Sequence, residues 1–243
     1  MSKEFDKYQT IGPDYHYRQI DRGSLRDYNA AVDARFQKLV DNVGIETGER
    51  VLKLLDVGCG DGAALYLLSR KSLQLELYGV DSAEDALEVA RERVPEGKFL
   101  AGLAEKLPFE NGFFDIAISS DVIEHVDNAG RMLAEIKRVT KDGATIIIGT
   151  PIRHSKFPLD HNHVQEWFVE DFKNLLEPHF KDIGVHESHN LIPTLLYSKP
   201  TRSVFNFKYL INLLSLIFGY NPFLAERQNK MQMFAYMYAI CRK

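Results

Sequence analysis

The stretch LLDVGCGDG, residues 54–62, decides the fold of this 243-residue chain. An apolar run rich in β-forming residues leads into a turn with three alternate glycines, Gly58, Gly60 and Gly62, and a helical pattern follows. Glycine permits positive φ and lets a ligand approach the backbone closely, and the first turn of a helix offers unpaired N–H groups. The stretch therefore predicts a strand, a ligand-binding turn and a helix in direct succession.

Strand and helix patterns alternate around this turn. Such alternation is typical of a parallel sheet that is covered by helices on both faces, with ligands bound beyond the carboxyl ends of the strands. A run of β-formers at 234–240 is expected to close the sheet as an antiparallel strand. The other expected elements are strands at 51–57, 75–80, 98–101, 114–119 and 144–150 and helices at 63–69, 83–93 and 129–140.

The segments on either side are expected to cap this sheet. Residues 1–45, with a helix predicted from Ser24, are assigned to an N-terminal cap over the ligand site. Residues 46–243 are assigned to the main domain. Within it, 151–230 is expected to supply a lid and the loops around a second substrate, the acceptor. The ligand could be covered by Tyr15 to Arg18 together with Tyr28, and the acceptor could be walled by the aromatic-rich segment 197–223. Further elements are expected at 170–176, 183–187 and 208–217.

The composition excludes several classes of protein. Apolar residues make up 45% and charged residues 26%, which is ordinary for a globular protein and too hydrophobic for a disordered one. The net charge of −4 counts against a broad nucleic-acid footprint. Two cysteines without a CxxC pair predict a reducing, cytoplasmic location. Residues 1–6 do not resemble a signal peptide, and 205–218 is too short and polar to span a bilayer.

Asp81 ends the second expected strand, roughly twenty residues after the glycine turn, where a carboxylate can accept hydrogen bonds from ribose hydroxyls. The turn, this acid, and the run AEKLPF at 104–109 before Phe114 together resemble class I S-adenosylmethionine-dependent methyltransferases over residues 51–150. The resemblance implies a Rossmann-like α/β fold with a mostly parallel seven-stranded sheet, and S-adenosylmethionine as cofactor. The GxGxG spacing, with Asp56 two residues earlier, differs from the GxGxxG of dinucleotide oxidoreductases.

The resemblance also implies a set of cofactor-binding residues. Asp56 is expected near the amino-acid end of the cofactor. Similar enzymes often carry Asp at the position of Leu103, so the adenine contact is assigned here to the main chain near Ala104 and to Glu105. The full expected set is Asp56, Gly58, Cys59, Gly60, Gly62, Asp81, Ser82, Ala104, Glu105 and Ser120.

A second group of polar residues follows the fourth strand. In a helical turn, Asp121, Glu124 and His125 would lie at i, i+3 and i+4 on one face. Two carboxylates and an imidazole could hold a divalent cation, Mg²⁺ or Mn²⁺, with His163 as a fourth ligand.

This turn resembles those of two methyltransferase groups. Ubiquinone-pathway O-methyltransferases have an acidic-x-x-Glu-His turn at the same place. Small-RNA 3′-end 2′-O-methyltransferases add a later His before Glu-Trp, as His163 precedes Glu166 and Trp167. Both resemblances imply a metal that binds and orients the oxygen of the methyl acceptor. In the metal-free alternative His125 lines the pocket or acts as a base, with Glu124 beside it; His154 and His161 are interpreted as loop residues.

The leading functional hypothesis is methylation of a hydroxyl or phosphate oxygen on a small molecule, such as a sugar or cell-envelope precursor. An anionic acceptor could be bound by Arg18, Arg22 or Arg153. The alternatives are 2′-O-methylation of an RNA 3′ end, which the acidic net charge disfavours, and a non-catalytic cofactor-binding partner subunit. The stretch 205–218 could instead touch a membrane surface. The acceptor's identity and the oligomeric state are left open.

Overall fold

The computed structural model describes residues 7–43, 50–71, 73–154, 162–198, 207–224 and 233–243. His161 lies outside these residues, as do parts of the predicted lid segments. Within the described part of the chain, no helix has the length and apolar character needed to cross a bilayer.

A seven-stranded mixed sheet forms the centre of the molecule, in the order β3-β2-β1-β4-β5-β7-β6. The first five strands pair in parallel, and β7 runs antiparallel to both β5 and β6. The predicted α/β class, the mostly parallel sheet and the antiparallel closing strand are confirmed. The strands are β1 Leu52–Val57, β2 Leu75–Asp81, β3 Lys98–Ala101, β4 Phe114–Ser120, β5 Thr140–Pro151, β6 Lys181–Asn190 and β7 Phe234–Arg242.

Helices cover both faces of this sheet. Along β1, Leu54 and Leu55 are fully buried but belong to different core clusters, because successive strand residues point to opposite faces. One cluster includes α6 and α7, and the other includes α3, α4 and α5. The helices are α1 Lys7–Thr10, α2 Tyr15–Ile20, α3 Ala30–Asn42, α4 Ala63–Ser69, α5 Glu84–Arg93, α6 Ala129–Val139, α7 Val169–Leu176, α8 Leu191–Ser198 and α9 Phe207–Phe218, with a 3₁₀ turn at Pro222–Leu224.

The predicted helix start at Ser24 is wrong. The Ser24 hydroxyl bonds to Asp27 in a local turn, and α3 begins six residues later, at Ala30. Asn29 provides the cap, since its side-chain oxygen accepts hydrogen bonds from Ala31 N and Val32 N at 3.1 and 3.2 Å. Short polar side chains compete with the backbone for such bonds, so several positions offer a cap and packing selects one.

We expect Asn29→Ala to lower the free energy of unfolding by about 1 kcal/mol, because two amides at the start of α3 lose their acceptor. Asn29→Ser keeps an acceptor and should recover most of that loss. Urea denaturation of the three proteins measures the difference. Equal losses in both variants would show that the cap contributes nothing and that the loss comes from other contacts of Asn29.

Candidate active site

A cavity of about 850 Å³ opens at the carboxyl ends of β1, β2 and β4. The strand order reverses between β1 and β4, which is the place where α/β sheets commonly bind ligands. Four of the expected cofactor residues are not among the lining residues: Asp56 lies near the end of β1, and Cys59, Gly60 and Gly62 lie in the turn that follows it. The expected residues that line the cavity are Gly58, Asp81, Ser82, Ala104, Glu105 and Ser120.

The glycine turn is folded tightly against the end of β2. Gly58 N and Cys59 N both donate to the carbonyl of Val80, at 2.7 and 3.0 Å. Gly58 has φ 74°, and a Cβ there would lie 2.2 Å from Val122 Cγ2. Gly60 has φ 52°, and a Cβ there would lie 1.8 Å from the Tyr8 hydroxyl. Both positions therefore require glycine, for conformation and for space.

Asp81 ties the turn to β2. Its Oδ2 accepts from Gly60 N at 2.8 Å and its Oδ1 accepts from Ala83 N at 2.9 Å. Burial raises its pKa despite these bonds. Each carboxylate oxygen has a second lone pair, so Asp81 retains acceptor capacity toward the cavity that it lines.

Three buried groups lie beneath the cavity. Asp56 is 3% exposed, and burial together with the charge of Asp81 raises its pKa to about 8. Burial also raises the pKa of Asp61 to about 7, although backbone N–H groups oppose the shift. The Cys59 thiol is buried among these acids and its pKa lies well above its ordinary value, chiefly through burial.

The N-terminal segment covers the turn. Tyr8 and His16 line the cavity, and the Tyr8 hydroxyl bonds to His16 Nδ1 at 2.9 Å. Asp61 Oδ2 accepts from Tyr17 N at 2.7 Å, which fixes α2 to the glycine turn. Tyr28 does not cover the cavity: it is fully buried and bonds to Asp33 and Ser215.

The turn after β4 is not the predicted helical turn. Asp121 has φ 57°, in the left-handed region, and a single turn closes from His125 N to the Val122 carbonyl. Asp121 Oδ1 accepts from Arg35 Nη1 at 2.7 Å. Burial works to raise the pKa of Asp121, but the Arg35 guanidinium holds it below its ordinary value. The prediction that Asp121 shares one face with Glu124 and His125 is therefore wrong.

The remaining three predicted metal ligands do come together. Ligand atoms of Glu124, His125 and His163 lie within 4.8 Å of one another. Glu124 is fully buried, and its Oε2 accepts from Thr150 Oγ1 at 3.0 Å. Its Oε1 has no hydrogen-bond partner among the residues that the structure describes. Burial, helped by the charge of Asp121, raises the pKa of Glu124 well above its ordinary value.

Both imidazoles of this cluster are oriented through Nδ1. His125 Nδ1 lies 3.2 Å from the Asn162 carbonyl, and His163 Nδ1 lies 2.6 Å from Oε1 of the buried Glu166. A carbonyl and a carboxylate can only accept, so Nδ1 donates in each ring, and in the neutral imidazole Nε2 is the acceptor nitrogen. Metal-binding histidines usually have this second hydrogen bond. His125 is also a lining residue of the cavity.

Residues 55–148 match the family described as "Methyltransferase domain". Demethylmenaquinone methyltransferase of Thermotoga maritima is 32% identical over 117 residues, which cover 48% of this chain and 50% of that protein. Ubiquinone biosynthesis O-methyltransferase of Maricaulis maris is 31% identical over 160 residues, 63% of this chain and 58% of that protein. This match and these relatives support a class I S-adenosylmethionine-dependent methyltransferase domain at residues 55–148.

The chain thus spans about half the length of the curated relatives it matches. Phosphoethanolamine N-methyltransferase 2 of Haemonchus contortus, solved with S-adenosylmethionine, has a TM-score of 0.66 at 17% identity, covering 100% of this chain and 60% of that chain. At this identity the likeness shows the fold of the methyltransferase domain. The methyltransferase family supports S-adenosylmethionine as the cofactor of this domain.

Several residues around the cavity were not predicted from the sequence. Tyr8 and Arg131 line it, and Arg35, Thr150 and Glu166 hold its acidic and imidazole groups. The Glu166-Trp167 pair after His163 was a signal for the last of these, but the others lie in no recognisable motif.

The three arginines expected to bind an anionic acceptor are not among the lining residues. Arg18 pairs with Asp14, and Arg22 pairs with Asp33. The Arg153 guanidinium lies over the Phe168 ring. Arg131 lines the cavity instead, with its Nε donating to the Glu105 carbonyl at 3.1 Å.

We expect Asp56→Asn to remove a pH dependence of stability. Because the pKa of Asp56 is raised from 3.8 to about 8, the folded protein keeps a proton that the unfolded chain releases. The stabilisation of the folded state by this retained proton is therefore fully present below pH 3.8 and is lost as the pH rises toward 8. The wild type should lose about 1 kcal/mol per pH unit relative to Asp56→Asn across this window. Urea denaturation at several pH values measures it; parallel curves would contradict the assignment.

Proposed function

We propose that the protein transfers the methyl group of S-adenosylmethionine to an oxygen of a small molecule held beside His125. The observation that carries this proposal is the continuity of one cavity from Asp81, on the cofactor side, to His125. Its volume lies within the range of about 300–1,000 Å³ common for small-molecule sites. The N-terminal cover and the net charge of −4 favour a small acceptor over an RNA duplex.

The reaction breaks the bond between the methyl carbon and the sulfonium sulfur and forms a bond from that carbon to the acceptor oxygen. The acceptor hydroxyl must lose its proton. His125 Nε2 is suited to take it, because Nδ1 is held as a donor by the Asn162 carbonyl. Tyr8 and His16 exclude water from the cofactor side of the cavity. The products are the methyl ether, or methyl phosphate, and S-adenosylhomocysteine.

A screen with methyl-labelled cofactor tests the transfer. Label should move to hydroxyl or phosphate acceptors and not to carbon or nitrogen acceptors. With the acceptor found, His125→Ala should lower kcat by about 100-fold or more. Its cofactor affinity, measured by calorimetry, should stay near normal because His125 lies on the acceptor side.

Two controls keep these results interpretable. Gly58→Ala should lose cofactor affinity, since the added Cβ would lie 2.2 Å from Val122. His186→Ala, which removes an exposed imidazole on β6, should behave as wild type. Transfer to carbon, or to none of a broad set of oxygen acceptors, would contradict the proposed oxygen target.

We further propose, as the alternative to His125 acting as a base, that Glu124, His125 and His163 hold a divalent cation. The residues fit one: Glu124 Oε1 is buried without a hydrogen-bond partner among the described residues, and the imidazoles are oriented by Nδ1. When bound, the cation would lower the pKa of the acceptor hydroxyl. With Asp121 held by Arg35, two nitrogen ligands and one oxygen ligand favour Mn²⁺ over Mg²⁺.

Metal analysis and Mn²⁺ titration calorimetry test this site without an acceptor. We expect Glu124→Gln and His163→Ala to lose Mn²⁺ binding, while their cofactor affinity is retained and His186→Ala binds normally. A chelator should abolish turnover, and added Mn²⁺ should restore it. Turnover that persists in chelator, with no metal bound, would overturn the metal site but leave His125 as the base.

A further inference from the structure

Helix α9 turns an apolar face to solvent. The outer face of α9 is defined here by five residues of the helix and one just after it, whose exposed fractions lie between 41% and 73%, the highest being that of Phe218. Four of the six, from 209 to 217, lie within an arc of about 100° around the helix axis, since each residue of an α-helix turns by about 100°. The six are Tyr209, Leu210, Leu213, Ile217, Phe218 and Tyr220.

Two polar side chains of α9, those of Asn212 and Ser215, point inward. Asn212 is fully buried, with its Nδ2 donating to the Tyr28 carbonyl at 2.6 Å and its Oδ1 accepting from Tyr197 Oη at 2.6 Å. Ser215, also buried, bonds to the Tyr28 hydroxyl at 2.7 Å. Breaking such buried bonds leaves unsatisfied polar groups, so the helix cannot rotate to hide its apolar side. The outer face is therefore fixed toward solvent.

The sequence around this face is basic. Residues 199–232 contain Lys199, Arg202, Lys208, Arg227 and Lys230 against one acid, Glu226, a net charge of +4 in a chain of net charge −4. Within α9 itself Lys208 is the only charged residue, and it lies at the start of the helix. An apolar helix with basic residues before and after it in the sequence is typical of helices that lie in the boundary layer of anionic bilayers.

We propose that the outer face of α9 docks the protein on the surface of a bilayer with anionic headgroups. At 12 residues the helix is too short to span a bilayer, so it lies along the surface. Tyr209 and Tyr220 lie near the two ends of the face, and tyrosine is favoured at the level of the headgroups. The aliphatic residues between them enter the acyl boundary. A bilayer is favoured over a protein groove because the sequence at 199–232 has a net charge of +4, which complements anionic headgroups.

Vesicle flotation with the full chain tests the docking. The protein should float with vesicles of equal parts phosphatidylcholine and phosphatidylglycerol, less so at high salt, and weakly with phosphatidylcholine alone. Leu213→Glu with Ile217→Glu should lower the bound fraction by about tenfold, because two carboxylates enter the apolar boundary. Both positions are exposed, at 41% and 62%, so the fold should be kept.

A matched variant, Val51→Glu with Leu100→Glu, adds the same charge at exposed sites before β1 and on β3, the edge strand opposite β6. It should float like the wild type. Cofactor calorimetry checks that every variant is folded. The proposal is overturned if the folded wild type floats with neither kind of vesicle, or if the two double variants float to the same extent as each other. It is also overturned if the wild type forms a dimer that Leu213→Glu with Ile217→Glu dissociates, and neither binds vesicles.

Discussion

The glycine turn can exist only because three of its backbone amides find acceptors at the end of β2. Gly58 N and Cys59 N donate to the Val80 carbonyl, and Gly60 N donates to Asp81. These bonds join the first two strands at their carboxyl ends and define the floor of the cavity. Asp56 and Asp61 are buried close to these bonds, and burial raises the pKa of each carboxyl group. The buried acids therefore lower the stability of the domain at the floor of this cavity.

Local patterns predicted the sheet well because its central strands are buried on both faces and bounded by turn residues. The helix 63–69 and the strand 98–101 have the predicted bounds, and the sequence placed Asp81 at the end of β2. The start of α3 was misplaced because Ser24 and Asn29 are both competent caps, and only tertiary packing distinguishes them. Asp81 and five other expected cofactor residues line the cavity.

The acceptor side was less predictable because its geometry depends on contacts between distant parts of the chain. The i, i+3, i+4 pattern correctly joined Glu124 to His125, but Arg35, 86 residues before Asp121, draws that carboxylate to α3. Tyr8 lies over Gly60 without any sequence motif to indicate it. A spacing rule describes a single helix or turn. It gives no information about the charged side chains of neighbouring elements.

The environment of Cys59 has a practical consequence. Its sulfur packs so closely on β2 that a Cβ at Gly79 would lie 2.6 Å away, and burial keeps the group as a neutral thiol. Only the thiolate attacks alkylating reagents, and Cys241 is buried as well. Modification by such a reagent therefore requires the protein to open first. Its rate reports the opening of the native structure, with no introduced probe.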